Sequence, residues 1–396
     1  MPTTRSDCRI CHGTRLDLIL KLAPTPIGDE FLLVPKEQPL HPIDLYQCQD
    51  CGLAQLLYEI PPEEIYKDYL YLTGSSVGLD QHFEEYARRV ATVCNLQTDD
   101  LVVDIGSNDG TLLKHFKSLG MNVLGYEPCE AIAAVARRSG IGTIAAYFDD
   151  KQPEYVATKH GYDVKAKLIT ANNVVANMND LDSFMRGVLR LLDKDGTFVF
   201  ESFYLGDVVR NMVFDFIYHE HLSAFSIRPV KALMRRYGLT LYKTEHLPTK
   251  GGSIRYYCTR YYAAKWKDEA PDDDKRLYEK ETYVEFARKI ETEKQKTLAF
   301  LRHLKSQGKS ISGFGASISC TTLLYHFGLG DFIDYLIDDN PAKIGKYSPG
   351  HHLRVNSTAN VQSDYTLCLA WRFADDFKRK YPHAKLIVPL PKFHVA

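Results

Sequence analysis

Between residues 80 and about 265, short apolar runs alternate with helical stretches. The apolar runs predict buried strands, which we place at Leu101–Ile105, Val123–Tyr126, Leu168–Thr170 and Thr197–Glu201. Strands that alternate with helices in this way form a parallel sheet whose faces are covered by the helices. The pattern therefore predicts an α/β fold for this part of the chain.

A different pattern follows the acidic run 272–274, where a long charged helix is predicted to begin. Its apolar residues step by three and four, or by two such steps, as they do on one helix face: Tyr283, Phe286, Ile290, Leu298, Leu301 and Leu304. We interpret this helix as a connector that packs one stripe against the domains. The segment from 310 to 338 then predicts strand, glycine turn, helix and strand, and "KLIVPLP" predicts the last strand. The carboxy-terminal region is thus a second Rossmann-like unit.

The first 70 residues are punctuated by proline and cysteine and have only short apolar runs. A domain with so small a core needs an added cross-link or metal. Two Cys-x-x-Cys pairs, Cys8 with Cys11 and Cys48 with Cys51, have the spacing of tetrahedral zinc ligands, and four thiolates leave no open site, so the metal would be structural. Thiols that share this spacing by chance, or a redox pair, are the alternatives. His12 is adjacent but is not needed as a ligand.

We predict three domains, at residues 1–70, 71–265 and 266–396. The composition is that of an ordinary globular protein, with 45% hydrophobic and 25% charged residues. The net charge of −1 does not favour binding to nucleic acid or to an anionic membrane surface, and no run is apolar enough to span a bilayer. Nine cysteines without an apolar amino-terminal run favour thiols or metal ligands over disulfides. The predicted location is the cytoplasm.

The stretch "LVVDIGSNDGTLLKHF" is the most specific in the chain. It predicts a buried strand that ends at Asp104, followed by a tight turn into a helix, permitted by Gly106 and Gly110. Acidic residues at 104 and 109 suit a positively charged ligand better than a phosphate, and Glu127 ends the next strand, where it can accept hydrogen bonds from ribose hydroxyls. This arrangement resembles the class I methyltransferases, which bind S-adenosylmethionine. A Rossmann turn without a cofactor, or a dinucleotide site, is the alternative.

The segment "FDFIYHEHLSAF" places several ionisable groups among large apolar residues. Burying such groups costs several kcal/mol unless they are paired or used. A metal site at His219-x-His221, or a buried network without a catalytic part, would each account for them. A catalytic cluster of Tyr218, Glu220 and His221 is the third possibility.

Taken in order, the cysteine pairs, "DIGSNDGTLL", "YHEHLSAFS", "GGSIRYY" and "GFGAS…DDNPAKIGKYSPGHH" resemble the bacterial sugar C-methyltransferases along nearly the whole chain. These enzymes methylate C3 of nucleotide-linked 4-keto-deoxysugars. The resemblance implies catalytic roles for Tyr218, Glu220 and His221 and for a tyrosine of "DYLYLTGSS", with Tyr71 the better match and Tyr69 the fallback. Asn177 and Lys250 stand where many members have histidine.

The chemistry of that reaction gives each group a role. Removing the proton at C3 needs a base, and the enolate oxygen that develops at C4 needs a donor. We assign the base to His221, the donor to Tyr218, and orientation of the base or a proton relay to Glu220. The cofactor provides the methyl electrophile.

The remaining assignments are contacts to ligands. For S-adenosylmethionine we predict Asp104, Gly106, Asn108, Asp109, Gly110, Glu127, Phe148 near the adenine, Asn173, Ser75 and Ser76. For the substrate we predict Lys250, Ser253, Arg255, Gly315, Ala316, Ser317, Asp338, Lys343 and Tyr347. Backbone amides at 313–317 begin a helix and would suit a diphosphate, although a purely structural lid is also possible.

The predicted partner is therefore a nucleotide-diphosphate 4-keto-deoxysugar, and the family's self-contained plan predicts a monomer. A second hypothesis is an NAD-dependent nucleotide-sugar oxidoreductase or epimerase built on the carboxy-terminal unit. It would need Gly-x-Gly-x-x-Gly and a Tyr-x-x-x-Lys relay, and neither is evident. A third is a zinc-bearing binding protein without activity.

Overall fold

The structure is a computed structural model that describes residues 2–65, 79–152, 165–260, 270–271 and 275–396. Its amino-terminal region consists of short strands and one helical turn: β1 (Thr3–Thr4), β2 (Leu16–Leu20), β3 (Leu45–Cys48), β4 (Ala54–Leu56), β5 (Tyr58–Glu59) and α1 (Pro62–Ile65). Strand β1 pairs with β5, and β2, β3 and β4 form an antiparallel sheet.

The fourth strand of this amino-terminal sheet comes from far along the chain. Strand Ser223–Ala224 pairs antiparallel with β4, with Ser223 opposite Gln55. It follows directly on the segment that contains Tyr218, Glu220 and His221. The predicted boundary at residue 70 did not anticipate this pairing, because the strand is two residues long and has no periodicity to read.

The central region is a layered α/β unit. Its helices are α2 (Leu79–Val93), α3 (Thr111–Ser118), α4 (Glu130–Arg138), α5 (Leu181–Leu191), α6 (Leu205–Arg210) and α7 (Ile227–Arg236). Its strands are β6 (Leu101–Ile105), β7 (Asn122–Tyr126), β8 (Thr143–Ile144), β9 (Ala166–Asn172), β10 (Leu192–Phe203), β11 (the Ser223–Ala224 strand above), β12 (Leu239–Leu247) and β13 (Ser253–Arg260). The four predicted strands are confirmed as β6, β7, β9 and β10.

Seven of these strands form one sheet in the order β12-β13-β10-β9-β6-β7-β8. The five strands from β10 to β8 are parallel, and β13 is antiparallel to both of its neighbours. After β6, the chain places β7 and β8 on one side of that strand and then β9 on its other side. This reversal opens a crevice at the carboxyl ends of β6 and β9, which is where open α/β sheets bind ligands.

The carboxy-terminal region begins with the predicted connector, α8 (Lys280–Ser306), and all six residues of its predicted stripe are buried. The remaining elements are β14 (Ile311–Phe314), α9 (Ile318–Phe327), β15 (Tyr335–Asp338), β16 (Val355–Ser357), β17 (Tyr365–Cys368), α10 (Ala374–Lys380), β18 (Leu386–Val388) and β19 (His394–Val395). The sheet order is β16-β15-β14-β17-β18-β19, parallel except for β19. "KLIVPLP" is therefore not the last strand, because β19 folds back onto β18.

A single cluster of buried apolar side chains extends from Cys8 through the central sheet to Leu390. A second, smaller cluster lies between α2, α3 and the other face of the central sheet. The three regions therefore share one continuous core rather than three separate ones. Within the described residues, no helix is both long and apolar enough to cross a bilayer.

Candidate active site and zinc centre

The four predicted cysteine ligands converge in the amino-terminal region. The Sγ atoms of Cys8 and Cys51 are 3.5 Å apart, as are those of Cys11 and Cys48, and all four lie within 4.8 Å of one another. In a tetrahedral site with Zn–S bonds of about 2.3 Å, neighbouring sulfur atoms are about 3.8 Å apart. The donor set therefore fits zinc, and a chance spacing of unrelated thiols is ruled out.

His12 is not a ligand of this centre, as expected. Its Nδ1 lies 3.0 Å from an Asp7 carboxylate oxygen and its Nε2 lies 2.8 Å from Asp182 at the start of α5. These two partners raise the pKa of His12. The imidazole thus links the zinc-binding region to the central unit.

The predicted cofactor loop lies at the crevice of the central sheet. Asp104 is buried near the end of β6 and accepts a hydrogen bond of 2.7 Å from the Thr170 hydroxyl. Gly106 has a φ of 72°, and a Cβ there would lie 2.4 Å from the Val174 side chain, so the turn requires glycine. The backbone of the loop therefore approaches the crevice closely.

Glu127 follows β7 and lies across the loop from Asp104. Its two carboxylate oxygens accept the backbone N–H groups of Asn108, at 3.1 Å, and Cys129, at 2.9 Å. Each oxygen has a further lone pair, so the carboxylate can also accept ribose hydroxyls. Burial raises the pKa of Asp104 to about 7 and also raises the pKa of Glu127, with mutual repulsion adding to the effect at Asp104.

Buried polar atoms without a partner also point to a ligand here. The Ser107 hydroxyl and both side-chain amide atoms of Asn172, at the end of β9, are buried without a hydrogen bond. Burying a polar atom without a hydrogen-bond partner costs free energy, which a bound ligand that provides the partner would recover. The buried acids, the unpaired polar atoms and the close backbone together fit S-adenosylmethionine, a cation with ribose hydroxyls.

Other predicted cofactor residues have structural roles that the sequence did not reveal. Asp109 accepts hydrogen bonds from the backbone N–H and the hydroxyl of Thr111, the first residue of α3. Phe148 is buried in the core against Tyr126 and Phe184, with ring centroids 5.0 and 5.7 Å away. Asn173, with φ of 58°, follows β9 at the crevice.

Two predicted substrate residues make contacts within the protein. Arg255 is buried on β13, where its guanidinium pairs with Glu201 at 2.9 Å and Glu245 at 3.3 Å and lies 4.0 Å over the Tyr86 ring. Its charge is already neutralised by two carboxylates, so it holds α2 against the sheet. Ser253 donates to the carbonyl oxygen of Thr249 at 3.0 Å and shapes the turn before β13.

The segment 218–221 connects the central unit to the zinc-binding sheet. His221 is buried, and its Nδ1 lies 2.7 Å from the carbonyl oxygen of Phe216. Since a carbonyl only accepts, Nδ1 carries the proton and Nε2 carries the lone pair. Burial lowers the pKa of His221 to about 3, so the ring is neutral near pH 7.

Tyr218 lies against the same imidazole, and Glu220 directly precedes His221 in the chain. The rings of Tyr218 and His221 have centroids 4.0 Å apart, and Phe203 stacks on the opposite side at 4.6 Å. Burial raises the pKa of Glu220 to about 7, and Lys250 opposes this rise. Lys250 is accessible to solvent, yet surrounding protein lowers its pKa and it also interacts electrostatically with His221. Lys250 therefore interacts electrostatically with both Glu220 and His221.

Glu220 lines a cavity of about 210 Å³ between the zinc-binding region and the central unit. Asn177 lines the same cavity, as do His219 and Leu222. Within the described part of the chain, the four cysteines are the only group found with metal-ligand geometry. His219 places its Nε2 3.3 Å from the carbonyl oxygen of His41, so the predicted alternative of a metal at His219-x-His221 has no support.

The carboxy-terminal residues predicted to bind a diphosphate are largely engaged within the protein. The N–H of Gly315 donates to Ile337 and that of Ala316 to Asp338, so two of the amides at the start of α9 are already used. Lys343 pairs with Asp29 and donates to the Ala316 carbonyl at 2.8 Å.

The two remaining predicted substrate residues of this region also have internal contacts. Tyr347 exchanges backbone hydrogen bonds with Leu32, and the Ser317 hydroxyl lies 3.0 Å from that of Ser319. The diphosphate contacts of this region stay a prediction, as does its alternative, a structural lid.

Tyr71, its alternative Tyr69, Ser75 and Ser76 lie outside the described residues. Sequence reasoning missed Asn172, whose side-chain amide atoms are unpaired at the crevice. It also missed the ion pair between Asp215 and Arg372, whose charged atoms lie 2.8 Å apart close to the segment 218–221. An asparagine at a strand end is a weak local signal. The partner of Asp215 is 157 residues away, and no local signal could have identified it.

Three family models match consecutive parts of the chain. The model described as "Putative zinc binding domain" matches residues 8–66, "Methyltransferase domain" matches residues 79–244, and "C-methyltransferase C-terminal domain" matches residues 248–391. The four cysteines lie in the first match. The cofactor loop and the segment 218–221 lie in the second.

Individual proteins are similar as well. The chain is 30% identical over 407 residues to the C-methyltransferase NovU of Streptomyces niveus, an alignment that covers 98% of this chain and 96% of NovU. Among solved structures, it resembles the PH0226 protein of Pyrococcus horikoshii OT3, with 14% identity over 50% of this chain and 98% of that one, at a TM-score of 0.39. It also resembles magnesium protoporphyrin IX methyltransferase (ChlM) of Synechocystis PCC 6803 with bound SAH, with 16% identity over 50% and 91% and a TM-score of 0.36.

The match to NovU extends along nearly the whole of both chains, and the family models account for all three regions of the fold. The crevice fits S-adenosylmethionine, and the four cysteines form the zinc-binding site. The chain therefore belongs to the C-methyltransferase family and is an S-adenosylmethionine-dependent enzyme with an amino-terminal zinc-binding domain.

Proposed function

We propose that the chain methylates C3 of a nucleotide-diphosphate-linked 4-keto-deoxysugar, with His221 as the base that removes the C3 proton. The observation that carries this proposal is the hydrogen bond from His221 Nδ1 to the Phe216 carbonyl. It fixes the tautomer whose Nε2 has a free lone pair, as a base requires. A hydrogen next to a ketone is the type of C–H bond that an imidazole can deprotonate once the enolate is stabilised.

Tyr218 is proposed to stabilise that enolate. Its ring lies against His221, so a sugar whose C3 faces the imidazole would have the oxygen on the neighbouring C4 near the phenol. A phenolic hydroxyl can donate to the oxygen as negative charge develops there. The base then acts on the hydrogen of C3 and the donor on the oxygen of the neighbouring C4.

Glu220 is proposed to receive the proton from the base or to stabilise it there. A buried imidazolium is unfavourable, as the lowered pKa of His221 indicates. The Glu220 carboxyl has a pKa raised to about 7 by burial, so it exchanges protons readily near neutral pH. A nearby carboxylate would make deprotonation at C3 less costly for the base.

When bound, S-adenosylmethionine provides the electrophilic methyl group. The chain's own contribution is to orient the donor and the sugar and to exclude water. Glu127, Asp104 and Asn172 would hold the donor at the carboxyl ends of β6, β7 and β9. Lys250, an accessible cation in the cleft, would contact the negatively charged part of the sugar nucleotide.

The experiment that tests this function uses methyl-labelled S-adenosylmethionine and a panel of nucleotide-linked sugars. We expect label transfer to 4-keto-deoxysugars and none to the matching 4-hydroxy sugars, because only a neighbouring ketone makes C3 acidic. We also expect C3–H to exchange with deuterated water in the presence of S-adenosylhomocysteine. Transfer to oxygen, or equal transfer to the 4-hydroxy controls, would contradict the proposal.

The pH dependence of kcat/KM follows from Glu220. If the ionised carboxylate is the active form, kcat/KM rises with pH through about 7, where Glu220 loses its proton. His221, with a pKa of about 3, is already neutral throughout this range and adds no second step. We expect Glu220→Gln to lower the rate and to remove the rise.

Lys250→Met provides the matched test of this assignment. Lys250 lowers the pKa of Glu220, so its removal should move the rise to higher pH without abolishing it. A rate that falls through pH 7 would mean that the protonated acid is required and would contradict the role proposed for Glu220.

A further inference from the structure

The segment that contains His221 is held from the carboxy-terminal region through a buried ion pair. Asp215 lies in the 3-10 turn Phe214–Phe216 and has no solvent exposure. One of its oxygens accepts from Arg372 Nη1 at 2.8 Å and from the Trp371 indole N–H at 3.1 Å, and the other accepts from Arg372 at 3.0 Å. Both Trp371 and Arg372 lie in the turn after β17.

This ion pair adjoins the hydrogen bond that orients the imidazole. The residue after Asp215 is Phe216, whose carbonyl accepts from His221 Nδ1. The Arg372 guanidinium also lies 4.3 Å above the Phe216 ring centroid, so it fixes this residue by its side chain as well as through its neighbour. A rotation of the Phe216 peptide would move or remove the acceptor of His221.

Helix α9 provides additional contacts to the same segment. The Thr322 hydroxyl donates to the Ile217 carbonyl at 3.2 Å, and Ser319 accepts from Arg372 Nη2 at 3.2 Å. The Phe214 ring stacks on Phe327 at 5.7 Å. The segment is thus attached to the carboxy-terminal region before Phe216 and after it.

We propose that Asp215 and Arg372 are positioning residues, through which the carboxy-terminal region sets the orientation and tautomer of His221. The inference rests on the proposed role of His221 as the base. It assigns to the carboxy-terminal region a function in catalysis besides covering the site. Neither residue of the pair lines the cavity that Glu220 lines.

The test compares Arg372→Met and Asp215→Asn with Lys380→Met. Lys380 also belongs to the carboxy-terminal region and pairs with a carboxylate, Asp339 at 2.8 Å, but on the surface. We expect kcat to fall about 100-fold in the first two variants, since small displacements of a catalytic group have effects of this size. KM for S-adenosylmethionine and the activity of Lys380→Met should be unchanged.

A second readout does not depend on turnover. In ¹⁵N-histidine-labelled protein, the His221 signals, assigned by their loss in His221→Asn, should report a protonated Nδ1 in the wild-type chain. In Arg372→Met they should shift towards mixed tautomers. Because Arg372→Met leaves the Asp215 carboxylate buried without its cation, the double variant Asp215→Asn/Arg372→Met tests the case in which the single variant does not fold.

The outcomes separate the two proposals. Altered His221 signals in a chain that fails to methylate any 4-keto sugar would retain the positioning role and overturn the proposed substrate. Unaltered His221 signals in the folded variants, with or without a loss of rate, would overturn the positioning role. Equal losses of rate in Lys380→Met would also overturn it, since the effect would then not be specific to the Asp215 pair.

Discussion

Replacement of His221 by asparagine is expected to lower the methylation rate by about 10²- to 10⁴-fold, the usual contribution of a general base. Asparagine keeps a side-chain N–H that can donate to the Phe216 carbonyl, but it has no basic nitrogen in place of Nε2. S-adenosylmethionine should bind as before, because the crevice between β6 and β9 does not include His221. The measurement is single-turnover transfer of labelled methyl, with cofactor affinity from calorimetry.

The control for this substitution is His351→Asn. His351 is also a mostly buried histidine whose pKa is lowered by burial, but it lies in the carboxy-terminal region against Tyr325. We expect its replacement to leave the methylation rate unchanged. Undiminished transfer in His221→Asn would refute the assignment of the base, and a loss of cofactor binding would show that the variant changes more than the base.

Removal of the zinc is expected to abolish activity although the metal takes no part in the chemistry. Structural zinc contributes about 10–16 kcal/mol of apparent binding free energy in zinc-finger peptides. That is comparable to the whole stability of a typical domain, about 5–15 kcal/mol. Cys48→Ser or chelation should therefore unfold the sheet of β2, β3 and β4.

Unfolding of the zinc-binding sheet would affect the segment 218–221 through β11. Strand β11 pairs with β4, and the Leu56 N–H donates to the Leu222 carbonyl at 3.0 Å, one residue after His221. Arg9, next to a zinc ligand, also donates to the Leu56 carbonyl at 2.5 Å. Without this sheet, the segment 218–221 loses its attachment on one side.

Elemental analysis, hydrogen exchange at β4 and the methylation rate measure these effects together. The wild-type chain should contain about one zinc. In Cys48→Ser, or after chelation, the zinc, the protection of β4 from hydrogen exchange and the methylation activity should be lost in parallel. Cys94→Ser is the matched control, since Cys94 lies at the end of α2 and outside the cluster. Full activity in a zinc-free chain would contradict the link between metal and active site.

The sequence was most informative where residues close together in the chain produce the structure. The strand before Asp104, the glycine turn and the acid at 127 were placed correctly because a βαβ unit brings successive strand ends to one edge of the sheet. The cysteine pairs were recognised for the same reason, since each pair occupies one short turn. The stripe on α8 followed directly from its helical period.

The substrate residues were less predictable because ionic partners lie far apart in the sequence. Arg255 stands in a motif shared with the family, but its partner Glu201 is on a neighbouring strand, 54 residues away. Lys343 similarly pairs with Asp29, 314 residues away. Nothing local distinguishes a charge that awaits a ligand from one that is already neutralised.

The sequence alone determined the α/β architecture, the zinc ligands, the cofactor loop and the candidate base, because each depends on periodicity or on a short motif. Only the tertiary structure decided how His221, the proposed base, is held. It joined β11 to the zinc-binding sheet on one side of His221 and Arg372 to Asp215 on the other. Both contacts bring together residues more than 150 positions apart, and such contacts exist only once the three regions have packed into one core.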